Sequence, residues 1–428
     1  MASERPWHVP GRWYTSPHNW HENVRGGMVG LPRQVCVKDD TLREGEETPG
    51  VVFDLKDRVE IGVRLQDIGV AELEMPMASS LEESAEVTKE FKRAGIKCRK
   101  SYIYFRTPPY EASTWKDDIK RRIDLGLDHL TLSLSFSRED TWSDFGGEFS
   151  KEKVEAIIGE TVQYAKNQGA TVGFGWPNQT RTYLDTLKRF HKAAADAGVD
   201  RTQIYDSLGV GLPASIRHLV SQVKQAVGKT PVLIHVHNDF GMATANTLAG
   251  IEGGAEWCDL VVNGLGDRGG NASFEEVVSA LEILYGVNTG IKLDRLYELS
   301  KFVAKKSGVK CQPHKAIVGQ NSFMEESAGH HRSMHAAIVG GTPEAYVPYV
   351  PETVGRHYTK IFGTTTMYGG AIEIQLDDWG FQYSVQDIER VRRRALKEIR
   401  SSKKGYLSEP EFKKICAGAL KRKAASKS

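Results

Sequence analysis

His235-Val236-His237-Asn238-Asp239 follows the apolar run Pro231-Val232-Leu233-Ile234, which reads as a buried strand. Side chains alternate faces along a strand, so His235 and His237 point the same way. Two imidazoles side by side at a strand's end are a ready pair of metal ligands. Alone, such a pair is more often two hydrogen-bonded imidazoles, and a metal needs further ligands from elsewhere in the chain. Two other segments concentrate reactive groups. Asp39-Asp40-Thr41-Leu42-Arg43-Glu44-Gly45-Glu46-Glu47 is dense in charge just after a strand-like run, where a solvated loop is the plain alternative. Asn263-Gly264-Leu265-Gly266-Asp267-Arg268-Gly269-Gly270-Asn271 is rich in glycine, which either builds a tight turn or lets backbone approach a ligand.

These segments need elements to position them. From about residue 34, short apolar runs alternate with amphipathic helical stretches. Strands are expected at 34–38, 70–74, 96–104, 129–135, 171–175, 203–207, 232–237 and 258–264. Helices are expected at 54–68, 82–93, 114–125, 151–167, 182–197, 214–227, 242–253 and 273–285. Many end at a glycine (Gly69, Gly95, Gly126, Gly169, Gly198, Gly228), the usual C-terminal stop. Eight strand–helix repeats over roughly 250 residues match an α/β fold of the TIM (β/α)8 type. A doubly wound open sheet is the alternative, weakened because no GxGxxG follows the first strand. In such a barrel the working residues lie at the C-terminal ends of strands, where all three reactive segments fall. Residues 1–30 read as an N-terminal arm, 31–295 as the barrel and 296–428 as a mainly helical C-terminal extension.

Composition narrows the function. The chain has 428 residues with a 40% apolar fraction, ample for a large core. Its 57 Lys+Arg balance 55 Asp+Glu, so no basic stripe points to nucleic acid. The five cysteines (Cys36, Cys98, Cys258, Cys311, Cys416) form no CxxC pair and no disulfide framework, which fits a reducing cytoplasm. No apolar run is long enough to span a membrane, and the N-terminus has no signal-like core.

Six segments in order, "DDTLREGEETPGVVF", "ELEMPMASS", "YDSLGVGLP", "HVHNDFGMATANTLAGIEGGA", "VNGLGDRGGNASFEEVV" and "QPHKAIVGQNSF", resemble the DRE-TIM metallolyases. That group includes isopropylmalate, homocitrate and citramalate synthases and hydroxymethylglutaryl-CoA lyase; "QPHKAIVG" is closest to the synthase branch. The resemblance implies a site. Glu44, His235 and His237 would hold a divalent metal (Mg, Mn or Zn), with Asn271 as a further ligand. Arg43 would stabilise an enolate or oxyanion, its guanidinium always charged and its donors pre-oriented. Glu72 stands where the family keeps an active-site carboxylate. Ser207 and Ser135 would contact the oxo acid. His330 of "SAGHH" would serve acid–base chemistry, with adjacent His331 competing for that register. The implied reaction is a Claisen-type condensation of acetyl-CoA, or another acyl-CoA, with a 2-oxo acid; the alternative is a lyase running such chemistry backwards. A non-catalytic scaffold would have no need for all of Arg43, Glu72, His235 and His237.

The resemblance also implies a homodimer, since "VPETVGRHYTKIFGTTTMYGG" is similar to the subdomain that synthases place against a partner's active site. Residues 296–428 are too few for the long leucine-sensing domain of full-length isopropylmalate synthases, so feedback through such a domain is not expected. The pattern departs from the family at two strands. Strand five, Val172-Gly173-Phe174-Gly175, lacks the usual Arg and acidic pair, leaving space and no charge. Strand three, Lys97-Cys98-Arg99-Lys100-Ser101, lacks the usual His, so Arg99 or Lys100 becomes a candidate anion partner for an unusual oxo acid.

Overall fold

The computed structural model describes residues 5–28, 30–76, 81–106, 114–127, 129–134, 150–368 and 370–420. The chain divides into two compact units, residues 17–311 and residues 1–16 together with 312–428.

The larger unit is a closed barrel of eight parallel strands. They are Cys36–Asp39 (β1), Glu72–Glu74 (β2), Arg99–Arg106 (β3), His129–Leu134 (β4), Thr171–Gly175 (β5), Arg201–Asp206 (β6), Val232–Val236 (β7) and Trp257–Leu260 (β8), with β8 paired back to β1. Between and after them run Leu55–Ile68 (α1), Leu81–Arg93 (α2), Thr114–Asp124 (α3), Lys151–Asn167 (α4), Leu184–Asp196 (α5), Pro213–Val227 (α6), Ala243–Glu252 (α7), Phe274–Ala280 (α8) and Leu296–Ser307 (α9). This is the (β/α)8 barrel expected from the repeats. Asp54 caps α1, accepting from the Asp57 N–H, and Pro213 opens α6 where its missing N–H costs nothing.

Parallel strands covered on both faces usually read as continuous apolar runs. Here they alternate. In β4, Leu130, Leu132 and Leu134 are buried under the helices, while His129, Thr131 and Ser133 face the barrel axis. The same parity turns Lys38, Glu72, Glu74, Arg201, Gln203 and Asp259 inward, all of them buried. Arg201 of β6 meets Glu72 of β2 across the interior. The apolar core therefore lies between strands and helices (Val37, Leu73, Phe174, Ile204, Val236), and the axis is polar.

The units place the domain edges elsewhere than 1–30, 31–295 and 296–428. Residues 17–30 go with the barrel, where Arg25 donates to the Tyr285 carbonyl. Helix α9 also goes with the barrel: Lys306 reaches Asp57 and Glu60 of α1. The smaller unit joins the hairpin His8–Val9/Trp13–Tyr14 to a three-stranded sheet and the helices Ala328–Val339 (α10), Ala371–Asp378 (α11), Val385–Ser401 (α12) and Glu409–Leu420 (α13). Its core gathers Phe362, Leu376, Val391, Phe412 and Cys416. No described helix is long and apolar enough to cross a membrane.

Candidate active site

β7 places His235 and His237 on the inner face as strand parity requires, with their Nε2 atoms 3.2 Å apart. Glu44, in the turn after β1, brings Oε1 to 3.8 Å from His235 Nε2 and 3.9 Å from His237 Nε2. Asn271 follows β8, and its Nδ2 lies 3.3 Å from His235 Nε2. Two glycines make that approach possible. Gly266, at φ +140°, clears the space where a Cβ would sit 2.1 Å from Asn271 Oδ1. Gly270, at φ +84°, passes equally close to the Gly264 carbonyl. Glycine here thus serves both tight turning and close approach. Thr48 ties the first loop to the last, its hydroxyl accepting from Gly266 N at 2.7 Å.

Burial holds both imidazoles neutral, pushed down to about 3; Lys38 and Arg43 add to this at His235, and His235 and Arg268 at His237. A neutral imidazole has a lone pair to give, which is the ligand form. His235 is oriented from behind by Asp259, whose Oδ2 is 3.0 Å from Nδ1, the carboxylate support usual for metal-binding histidines. Asp259 in turn shares Lys38 with Glu74, at 2.8 and 2.6 Å. Burial opposes the Lys38 charge, yet Asp259, Glu74 and Asp40 outweigh it and raise its pKa well above the ordinary value. Burial first, then Asp259, pushes Asp40 up to about 6. Arg43 pairs with Glu44 and lies 3.3 Å from Glu47.

The donor set fits a divalent cation on three counts. Glu44 with His235 and His237 forms a cluster whose ligand atoms lie within 4.8 Å of one another. Glu44 Oε2, Asn271 Oδ1 and both Asp40 oxygens are buried without a hydrogen-bond partner. This end of the interior also sets four acids (Asp40, Glu44, Glu74, Asp259) against two bases (Lys38, Arg43), an acid excess that a dication would offset.

The structure brings Arg43, Glu44, His235, His237 and Asn271 together, and leaves other expected site residues elsewhere. Glu72 belongs to a lower layer. Its carboxylate is bidentate with Arg201 at 2.8 and 3.0 Å, near His129, and the inward carboxylate of "ELEMP" that reaches Lys38 is Glu74, two residues on. The β2 register, Glu72 opposite Arg99 at the start of β3, fixes this. Arg99 is likewise at the N-terminal end, 39% exposed and 3.5 Å from Glu72, and so is not a pocket cation; Lys100 donates to the Cys98 carbonyl nearby. Ser207 stands at the rim after β6, where its hydroxyl accepts from Asn178 N at 3.0 Å. Ser135 lies outside the described residues. His330 and His331 are in the smaller unit: His331 is buried and bonded to the Glu325 carbonyl, while His330 is half exposed with Nδ1 2.7 Å from Glu325 Oε2.

Strand five also differs from expectation. Gly173 and Gly175 leave no void: added Cβ atoms would meet Gln203 Nε2 at 2.5 Å and Tyr205 Cε2 at 2.6 Å. Side chains of β6 occupy that space. Sequence reasoning missed Lys38, Glu74, Tyr205 and Asp259. The signal was present as polar residues two apart in strand-like runs, where parity turns them to the axis.

Two histidines, a carboxylate and an arginine thus converge at the C-terminal ends of the strands, where (β/α)8 barrels carry their working residues. The chain belongs to the HMGL-like family, whose profile matches residues 34–303. Among its relatives are 2-isopropylmalate synthase of Methanocaldococcus jannaschii (36% identical over 354 residues, 83% of this chain and 65% of that one) and homocitrate synthase AksA of Methanopyrus kandleri (35% over 370 residues, 86% and 88%). A 2-isopropylmalate synthase of Sulfolobus acidocaldarius is 34% identical over 86% of this chain and 91% of its own. The fold is shared with the hydroxymethylglutaryl-CoA lyase of Pseudomonas aeruginosa (TM-score 0.53, 19% identity, 66% of this chain and 95% of that one) and the HMG-CoA lyase of Brucella melitensis (0.52, 20%, 65% and 100%).

Proposed function

We propose that this chain is a divalent-metal-dependent enzyme that condenses acetyl-CoA, or another acyl-CoA, with a 2-oxo acid, giving a 2-hydroxy-2-alkyl dicarboxylic acid and CoA. The observation that carries it is the convergence of Arg43, Glu44, His235, His237 and Asn271 at one end of the barrel, in a chain related to synthases. Glu44, His235, His237 and Asn271 would hold the cation, for which Mg, Mn and Zn all suit the donor types. When bound, it supplies Lewis-acid polarisation of the oxo acid's carbonyl.

The chain's own groups do the rest. A base takes a proton from the acetyl methyl, and the enolate carbon bonds to the 2-oxo carbon, whose oxygen takes up a proton. Water then cleaves the thioester, releasing CoA. Arg43 lies beside this chemistry with a permanent charge and two pairs of N–H donors, suited to a developing enolate oxygen. Ser207 Oγ accepts from Asn178 N and keeps its own proton to donate to the oxo acid's carboxylate. His330 is the acid–base candidate that the family resemblance supports, with Nδ1 2.7 Å from Glu325 Oε2. A homodimer is part of the same proposal, and light scattering at twice the chain mass would support it.

The test is CoA release from acetyl-CoA across a panel of 2-oxo acids, after metal removal and reloading. Arg43→Ala should abolish turnover and leave metal content intact, whereas His235→Ala should lose both. No release from any oxo acid with metal bound, or full activity in Arg43→Ala, overturns the proposal.

A further inference from the structure

The wall that β5 and β6 present to the metal-ligand layer is built by an exchange of bulk between neighbouring strands. Gly173 and Gly175 give up side chains, and Gln203 and Tyr205 fill the room they leave. Tyr205 is paired in register with His235, and its ring meets the His235 ring edge-on, with centroids 5.2 Å apart. Anything held at His235 and His237 therefore has this ring as a neighbour. Its position is fixed from both sides: the hydroxyl donates to Gln203 Oε1, and Gln203 Nε2 donates to Thr131 Oγ1 at 2.9 Å. These bonds lock a neutral side chain in a buried place.

The charge pattern points the same way. At this level β4, β5 and β6 turn Thr131, Ser133, Gly173, Gly175, Gln203 and Tyr205 to the axis, and none carries charge. The buried ammonium beyond them, Lys38, is already shared by Glu74 and Asp259, with Asp40 3.8 Å away. A second carboxylate on the substrate would lose its water and find a neutral wall backed by acids.

We propose that Tyr205, seated on Gly175, is the specificity-determining residue of the site, admitting 2-oxo acids whose side chain is uncharged and limited in size and rejecting those that end in a second carboxylate. This rests on the condensing function proposed above. The glycines matter because a side chain at Gly175 would collide with the ring and with the Gln203 carbonyl, so the tyrosine and the glycine belong together.

The test uses a pair matched in length, 2-oxopentanoate and 2-oxopentanedioate, with acetyl-CoA and the metal-loaded full chain. The monocarboxylate should have at least a 100-fold higher kcat/KM. A length series of monocarboxylates from 2-oxobutanoate to 2-oxooctanoate should show a cut-off in the parent. Tyr205→Ala should raise the ratio of long to short at least tenfold, while Tyr205→Phe, which keeps the ring, should leave the cut-off in place. Tyr205→Leu replaces the alanine variant if that fails to fold. Metal content and thermal midpoint, measured for each variant, separate a changed pocket from a damaged barrel. Calorimetric binding of the matched pair to the metal-loaded chain reads the same preference without turnover. Equal or better use or binding of the dicarboxylate overturns the proposal, as does an unchanged length ratio in both smaller variants. Failure of every acid to release CoA, with the binding preference intact, counts against the condensing reaction and leaves the specificity standing.

Discussion

The barrel interior holds two buried charged layers built from the same kinds of residue. At the N-terminal end, Glu72 is bidentate with Arg201, Arg201 lies over the Trp257 ring, and His129 is held by Thr171. Arg201 holds the Glu72 carboxyl well below the usual range despite burial that works the other way. At the C-terminal end, acids outnumber bases, two imidazole nitrogens face each other, and carboxylate and amide oxygens lack partners. The lower layer pairs its acid with a base, leaving Arg201 Nε unbonded; the upper one leaves an excess of acid and several unbonded oxygens. Buried polarity alone does not mark a functional site, because a satisfied ion pair is equally polar. Unsatisfied donors and acceptors around a shared point do mark one.

Substitutions in the two layers should therefore fail differently. Arg201→Met leaves buried Glu72 with only the part-exposed Arg99 3.5 Å away as a cationic partner, and should destabilise the fold by about 3–5 kcal/mol while the refolded protein still binds metal. His235→Ala should remove metal and turnover, yet cost the metal-free protein less stability than Arg201→Met does. Urea unfolding and metal analysis on both variants read this contrast. Loss of metal in Arg201→Met at a temperature where it is folded would break the distinction.

Within the upper layer, Asp259 both supports His235 and shares Lys38. Asp259→Asn keeps the shape and removes the charge. Outer-sphere partners of this kind typically contribute 10–100-fold to metal affinity, so the variant should bind metal more weakly by about that factor and keep its fold. An unchanged metal dissociation constant would show that His235 is oriented by packing against Tyr205 alone.

Much of this was legible in the sequence, and the reason differs by residue. The barrel followed from the repeat of strand and helix patterns, because hydrophobic periodicity and glycine stops are local signals. His235 and His237 were legible from strand parity at the end of an apolar run, and Arg43, Glu44 and Asn271 through the family resemblance of the segments that carry them. Glu72 and Arg99 were misplaced because their height along the barrel axis depends on strand register, which only pairing across β2 and β3 decides. Tyr205 escaped because its meaning comes from Gly175 on the neighbouring strand: the sequence showed a missing side chain, and the structure shows what replaced it.

The mildest effect concerns His129 in the lower layer. Burial, then Arg201, pushes its pKa down from 6.5 to about 3, with Arg99 and Lys38 adding to this and Glu72 opposing it. Above pH 6.5 the imidazole is neutral in both folded and unfolded chains, so it adds no pH dependence there. Between 6.5 and 3 the unfolded chain takes up a proton that the folded one refuses, and stability falls as the solution is acidified. The slope from one such group approaches about 1.4 kcal/mol per pH unit. His129→Gln keeps an acceptor for Arg201 and cannot titrate, so its unfolding free energy should fall less steeply with acid than that of the parent, by about 1 kcal/mol per unit between pH 6 and 4.5. Carboxylates elsewhere contribute equally to parent and variant, so the difference between the two curves isolates the histidine. Parallel curves would mean that His129 takes its proton in the folded state, and the Arg201–Glu72 pair would then not keep the neighbouring imidazole neutral.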